Sequence, residues 1–520
     1  MADYVYEPLS NTYNPIFTDS TGVTDQRSIL QACINAAALT GGTIRIPQGT
    51  YYLRLATSFG QLWSGPGLPA GIPPVTYACL LKSGITLQGD PGAVLLLNQV
   101  NNVHGYNYLF MIEPDAQNIS IKNLTFDGSK TSYTVEDNQG FFMGKIATNT
   151  RFVNCKFQNC SGKAINFYGH PYGTTRSRFV YVDNCYFTAL AGQALTATSF
   201  DNITYTNNIH YQSLNWFDAD GDVPDSGGGA EAIILHGGNH LIFTDNQFYN
   251  WGTSIKLDTN DYGGYSHVTI SNNDLGNNPM ALHDTRYAVV DNNYHDNAGG
   301  RDNDFGLFYM RDSQFSNNTY FGSSVAETAF GSNVGYFTAH MDNVSFFNNS
   351  FWVNGCTSLL VQINSNSLLP CTVSNINGDC TLRLVNKFNT INSINTAFTE
   401  YRIITDCSVY GGSPTNTSTS PPILIDRCAD LRFYDLKLSG AAASCLINLD
   451  SISSPENNNI SFYNSVFTLT GTAANIIRTT SSTNTLISGC RGYHGVTTPA
   501  FITGATATVT ITGSTLAISA

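Results

Sequence analysis

A stretch of alternating apolar residues, one or two Asn, then an aromatic side chain recurs along this chain roughly every 20 to 40 residues. No other feature narrows the possible folds as much. The copies read NISIKNLTF ending at Phe126, RFVNCKF at Phe157, FVYVDNCYF at Phe187, LIFTDNQFY at Tyr249 and HVTISNNDL at Leu275, followed by YAVVDNNYH, RDSQFSNNTYF, DNVSFFNNSFW and ISFYNSVF. Each begins with the period-two alternation of a strand rich in Val, Ile, Thr, Phe and Tyr. Each then meets Asn, which tolerates turn conformations that β-branched residues resist.

A second short strand follows the corner: AINFY from Ala164, ALTAT from Ala194, AIILH from Ala232, SIKLD from Ser254 and MALHD from Met280. Two or three such strands make one coil, and one coil cannot bury its apolar face alone. Coils must therefore stack, about 4.8 Å apart, with parallel sheets and with Asn, Cys and aromatic side chains in ladders. The expected fold class is all-β, a parallel β-helix.

The chain has 520 residues, which a solenoid accommodates as one elongated array rather than several domains. Charged residues make up only 12% and the formal net charge is −13, without a basic cluster, so nucleic acid is not expected as a partner. MADYVYEPLSNTYNP lacks a basic segment followed by an apolar one, so no signal peptide is expected. No run reaches the roughly 18 apolar residues of a membrane span, and a soluble protein without membrane insertion is expected. The twelve Cys lack CxxC pairs, and Cys155 and Cys185 occupy the same repeat position, so stacked reduced thiols are expected rather than a zinc site.

Residues 1–24 read as a short irregular arm. In DQRSILQACINAAAL, the residues Ile29, Leu30, Cys33, Ile34 and Ala37 fall at helical spacing behind Asp25 as a cap. Such a helix would cover the open end of the first coil. Residues 25–100 are assigned to this helix and the opening coils, 101–470 to the β-helix body and 471–520 to a β-rich C-terminal segment. The last residues, TGATATVTITGSTLAISA, would aggregate as a bare edge and are expected to pair with neighbouring subunits.

DSTGVTDQRSILQACINAA followed by GGTIRIPQGTYYL resembles the opening segment of the pectate-lyase-like β-helix superfamily, especially phage tailspikes and capsule depolymerases. The shared pattern is an acidic turn with Gly, a helix, Gly-Gly, a strand, then Pro, Gly and Tyr. One departure is Gln26, where the superfamily usually has a second acid. The resemblance implies a right-handed β-helix, a homotrimer locked by its C-terminal region, a place in the virion tail beside other tail or baseplate proteins, and a bacterial surface polysaccharide as partner. It does not choose an activity.

Ionisable and aromatic residues concentrate between about 201 and 312. Aligning the second strands on Ile165, Leu195, Ile233, Ile255, Met280 and Leu307 sets Tyr168, Thr198, His236, Asp258, His283 and Met310 outward in one column. Glu231 enters its strand one coil before Asp258. Carboxylates on adjacent or alternate coils begin about 5 or 10 Å apart, near the separations that retaining and inverting glycosidases use. Glu231 is the first candidate for the acid, Asp258 for its partner, and Asp304 the reserve.

His236 and His283 could orient a carboxylate or hold a sugar hydroxyl. Trp216, Phe217, Tyr249, Trp251, Tyr262 and Tyr265 could offer aromatic faces to sugar rings. Lys256, Arg286 and His283 leave a polysaccharide lyase open, since elimination needs a base and a cation against a uronate. A non-catalytic adhesin or fibre is the third reading, and a pectinase-like secreted enzyme a further one. Asp218, Asp220, Asp222 and Asp225 do not complete an EF-hand, and neither a metal nor another cofactor is assigned. GxSxG, Walker and HExxH motifs are absent.

Overall fold

The computed structural model describes residues 3–55, 57–59, 75–97, 107–129, 139–168, 176–212, 231–249, 251, 253–258, 264–276, 278, 280–296, 306–322, 327–329, 341, 343–353, 359–365, 372–374, 377–378, 381–386, 402–405, 408–411, 423–426, 431–440, 447–449, 460–469, 475–479, 484–494, 500–503 and 508–518. It contains two compact units, one of residues 1–266 with 273–278, the other of 267–272 with 279–520. Both are built from stacked coils in parallel register, and the chain is a right-handed parallel β-helix.

In the first unit each coil has a front strand, a second strand and a back strand. Front strands Val75–Leu81, Asn107–Ile112, Gln139–Lys145 and Ile165–Tyr168 pair in parallel in that order, and the long strands Leu195–Thr206 and Glu231–Thr244 run through the front and second positions without a break. The back strands form an eight-stranded parallel sheet from Thr21–Asp25 to Gln247–Tyr249. Apolar residues of alternating parity fill the coil. Phe126, Phe157, Phe187, His210 and Phe248 stack there with successive centroid separations of 5.1, 4.9, 4.9 and 4.5 Å.

The Asn corners are where the sequence placed them. Asn123, Asn154, Asn184, Asn207 and Asp245 all have φ between 50° and 58°. This left-handed conformation costs most L-residues about 1–2 kcal/mol, and Asn and Asp are among the few that adopt it routinely. Gly489 (φ 65°) and Gly513 (φ 57°) take the corner in the last coils.

The residue after each corner points inward. Cys155 and Cys185 are buried thiols at this position, and burial pushes the Cys185 thiol well above its ordinary pKa. Asn208, Asn246 and Asn273 replace them in the next coils and form a buried ladder. Asn208 donates its amide and its backbone N–H to Asn246 Oδ1, both at 3.0 Å, while Asn246 donates to Tyr205 O at 3.0 Å and to Asn273 Oδ1 at 2.9 Å. Replacing Asn246 by Ala strands the Asn208 N–H and the Tyr205 carbonyl inside the coil. We expect a loss of about 3 kcal/mol or more, from orphaned buried groups at about 1–3 kcal/mol each, read as a lowered urea midpoint.

The second unit repeats the plan with three sheets. One is nine-stranded, from Tyr294–Asp296 to Thr515–Ile518, and one seven-stranded, from Glu327–Ala329 to Ala500–Thr503. Asn293, Asn318 and Asn349 rebuild the buried Asn ladder. Strands from Asn475 to Ile518 continue these ladders in parallel, so the C-terminal segment adds coils to the solenoid.

At the N-terminus, the segment expected to be irregular forms an antiparallel hairpin of Tyr4–Glu7 and Thr12–Pro15, and the latter pairs in parallel with Thr43–Ile46. The helix Arg27–Ala38 buries Leu30, Cys33, Ile34 and Ala37. Its N-cap is Gln26, not Asp25; the Asp25 carboxylate instead accepts the N–H groups of Arg27 at 3.0 Å and Arg54 at 2.9 Å. Gln26 is fully buried, accepts the Thr18 N–H at 2.9 Å and donates to Thr24 O at 3.0 Å. A carboxylate could not make the second bond, which gives the departure from the superfamily pattern a local cause. Among the described residues no helix is long and apolar enough to cross a membrane.

Candidate functional site

The front strands decide where ionisable side chains can meet. Ile165, Leu195, Ile233 and Ile255 stand level on four successive coils, as the alternation required. Two residues earlier, Glu231 and Thr253 stand level at the mouths of their strands, while Lys163 and Gln193 lie two residues before the level pair Ile165 and Leu195. Three residues later, the same register sets Tyr168, Thr198, His236 and Asp258 in one row.

Glu231 is 6% exposed. Its Oε1 receives Lys256 Nζ at 2.8 Å, and its Oε2 is buried without a hydrogen-bond partner. Lys256 starts three residues farther along, level with Ile234, so the Glu231 side chain leans along its own strand to meet it. His236 is level with Asp258, and both are half-buried. Burial pushes the His236 imidazole below its ordinary pKa; Lys163 and Lys256 add to this, while Asp258 and Glu231 act in the opposite sense. Glu231, His236, Lys256 and Asp258 on adjacent coils, with Lys163 two coils earlier, are thus one electrostatic cluster around His236.

The register corrects the expected spacing of the two acids. They lie on neighbouring coils, yet Glu231 is level with Thr253 and Asp258 with His236, an offset of five residues. At about 3.3 Å per residue this places their Cα atoms about 17 Å apart. Side chains reaching about 4 and 2.5 Å toward each other would leave the carboxyl groups no closer than about 10 Å.

Other expectations also change. Leu282, not Met280, is level with Leu307, and His283 is level with Phe308; Met310 is fully buried rather than outward. The alignment slipped by two residues because Met280 is itself buried and occupies the strand's apolar threshold. Trp251 is also fully buried, packed edge-on to His210 at 6.2 Å, so it offers no face to a sugar. Tyr265 is buried too, with its hydroxyl 2.6 Å from the Asp258 carbonyl and 2.5 Å from that of Leu235. It clasps the ends of two front strands at the level of the His236–Asp258 pair. Tyr249 donates its hydroxyl to Asp274 Oδ2 at 3.1 Å.

His283 and the exposed Arg286 belong to the second unit, where the Arg286 backbone forms an isolated parallel β-bridge with that of Arg311. Asp304, Trp216, Phe217, Tyr262 and the acids at 218, 220, 222 and 225 lie outside the described residues. Two participants had gone unnoticed, Lys163 and Tyr265 in its clasping role. Lys163 was within reach, because counting back two residues from Ile165, Leu195 and Ile233 aligns it with Glu231. Nothing in the sequence marked Tyr265 as inward.

No protein-family model matches the chain, and no curated protein gives a significant match. Among solved structures, a tailspike protein of E. coli bacteriophage HK620 in complex with a hexasaccharide is 14% identical, with 89% of this chain and 75% of that chain covered and a TM-score of 0.44. The surface protein and adhesin PfbA of Streptococcus pneumoniae is 13% identical, covers 96% of this chain and 97% of its own, and has a TM-score of 0.32.

Proposed function

We propose that this protein binds a bacterial surface polysaccharide along its front face and cleaves it by glycosidic hydrolysis, with Glu231 and Asp258 as the reacting carboxyl groups. The observation that carries this reading is the cluster of buried Glu231 with half-buried Lys256, His236 and Asp258 on adjacent coils. A long polymer fits a surface on which each coil repeats the same backbone at a fixed rise.

The offset between the acids bears on stereochemistry. A separation no smaller than about 10 Å excludes the roughly 5–5.5 Å that a covalent glycosyl intermediate needs and lies just outside the roughly 6.5–9.5 Å range that accommodates an intervening water, the nearer of the two geometries. Inversion is therefore the proposed outcome. The pairing with Lys256 also reverses the parts first given to the acids. A carboxylate gripping an ammonium accepts hydrogen bonds, which suits Glu231 to activating water and leaves proton donation to Asp258 opposite His236.

One contact favours a second reading. Lys256 Nζ lies 2.8 Å from Glu231, so a cation and a base are already together, as β-elimination beside a uronate requires. Incubation with purified capsules and O-antigens, with mass analysis of fragments, separates the cases. New reducing ends of inverted configuration support hydrolysis. Ultraviolet absorbance of an unsaturated sugar selects the lyase. Tight binding without loss of polymer length selects an adhesin.

The resemblance of the opening segment to phage tailspikes supports a homotrimer carried on a virion tail, in contact with other tail or baseplate proteins. A mass of three chains by light scattering is the expected result.

A further inference from the structure

A second row of left-handed residues runs along the outer face of the first unit, at the start of the second strands. Asn118, Asn149, Phe179, Asn202 and His240 have φ of 59°, 54°, 57°, 65° and 56°. The strand registers place Asn149, Phe179, Asn202 and His240 level on four successive coils. Asn suits this backbone; a bulky aromatic residue does not, and its presence there is a true outlier. Phe179 recovers only part of that cost by packing, since 42% of it is exposed to water. A strained residue that is also an exposed apolar one lowers stability twice, and such residues cluster where a ligand is held.

The surroundings of Phe179 are basic and ordered. Arg176 Nη1 lies 3.2 Å from Asp201 Oδ1, and Arg178 Nε lies 3.9 Å from Asp201 Oδ2. Asn239 donates to Asp201 Oδ1 at 3.0 Å and is itself held by the Ser266 hydroxyl at 2.7 Å. Two residues beyond Phe179, the Arg151 guanidinium lies 4.6 Å from the centre of the Tyr181 ring, and its Nε donates to Asn149 Oδ1 at 3.1 Å. Two guanidinium groups thus flank one carboxylate, and a third, from the preceding coil, lies over Tyr181, on a chain whose formal net charge is −13.

We infer that Phe179, Arg178 and Arg151 form an accessory binding strip for an acidic polysaccharide, distinct from the Glu231 cluster. The C–H face of a sugar ring lies on Phe179, as apolar sugar faces lie on aromatic rings. Its carboxylate meets Arg178, half-exposed and only loosely held by Asp201. His240, exposed two coils on, offers the next contact along the polymer. This rests on the polysaccharide reading proposed above but not on cleavage.

The test measures binding of the full-length protein to an array of purified acidic and neutral bacterial polysaccharides. Wild-type protein should retain one or more acidic polymers in preference to neutral ones. Phe179→Ala and Arg178→Ala should each raise Kd about tenfold, with turnover of a short oligosaccharide unchanged. Phe179→Asn should weaken binding equally while raising the melting temperature, because Asn relieves the backbone; a merely structural Phe179 would not separate the two effects. Retention of neutral polymers alone, of none, or an unchanged Kd in both Ala variants overturns the inference. So does a fall in oligomer mass for Phe179→Ala, which would make the strip an interface between copies. Loss of binding in the Phe179 variants together with unimpaired cleavage in Glu231→Gln would overturn the catalytic reading and leave this one standing.

Discussion

Glu231→Gln should lower polysaccharide turnover by about 10³-fold while changing Kd for the polymer less than about threefold. A positioned carboxyl group contributes about 10²–10⁴ to proton transfer, and the amide keeps its volume while losing that capacity. The substitution also sets an amide against Lys256, where a carboxylate held the ammonium at 2.8 Å. Lys256 is 30% exposed at its side chain and can turn to water, so the folded state should survive with a small loss of melting temperature. Asp258→Asn should be comparably impaired, its backbone still fixed by the Tyr265 hydroxyl. Reducing-end release measured beside thermal melting separates chemistry from scaffold. Unchanged release in both variants would remove the two acids from the mechanism.

How much of this could be read from the chain differs sharply between fold and site. The coil, the Asn corners and the aromatic stack follow from short-range chemistry: alternation for strands, left-handed tolerance for Asn, and a stacking requirement for any face that one coil leaves bare. Even there the pattern had a gap. YTNNIHY was not among the repeats because His210 stands where neighbouring coils have Phe, although it stacks between Phe187 and Phe248 in the same way. In YAVVDNNYH the stacked ring is likewise His295, against Tyr320 at 4.7 Å, while Tyr294 is exposed.

The site depends on register, and a register error of any size moves chemistry by whole residues. Adjacent coils were enough to bring Glu231 and Asp258 to neighbouring strands, but their spacing depends on where along those strands each one sits. The strand Glu231–Thr244 and its neighbour Thr253–Asp258 start level, and the five-residue offset arises because Glu231 opens its own strand while Asp258 closes the next. Trp251 was misjudged for a related reason. Large aromatic residues serve sugar platforms and core filling equally well, and only the fold reveals which side of the coil a given residue faces.

The two histidines inside the solenoid lead to the other large expected effect, a loss of stability in mild acid. Burial pushes the pKa of His210 and of His295 down to about 3 from an ordinary 6.5. His210 has its Nε2 2.8 Å from the Tyr205 hydroxyl and aromatic rings on both faces, and its Nδ1 is buried without a hydrogen-bond partner among the described residues. The sign follows from the unfolded chain, which takes up a proton near pH 6.5 while the folded one refuses it until about pH 3. Stability is therefore complete above pH 6.5 and falls as pH drops toward 3, by about 1.4 kcal/mol per pH unit for each histidine, roughly 5 kcal/mol for each across the full interval. Between pH 6.5 and about 5.5 ordinary carboxylates remain almost wholly ionised, so a falling urea midpoint in that interval belongs to the histidines. His210→Phe should make that fall shallower, since Phe continues the stack of Phe126, Phe157 and Phe187 and cannot titrate. The same variant leaves the Tyr205 hydroxyl without its partner and should be less stable than wild type at pH 7, so the two stability curves should converge as pH is lowered. An unaltered slope in His210→Phe would place the acid sensitivity elsewhere in the chain.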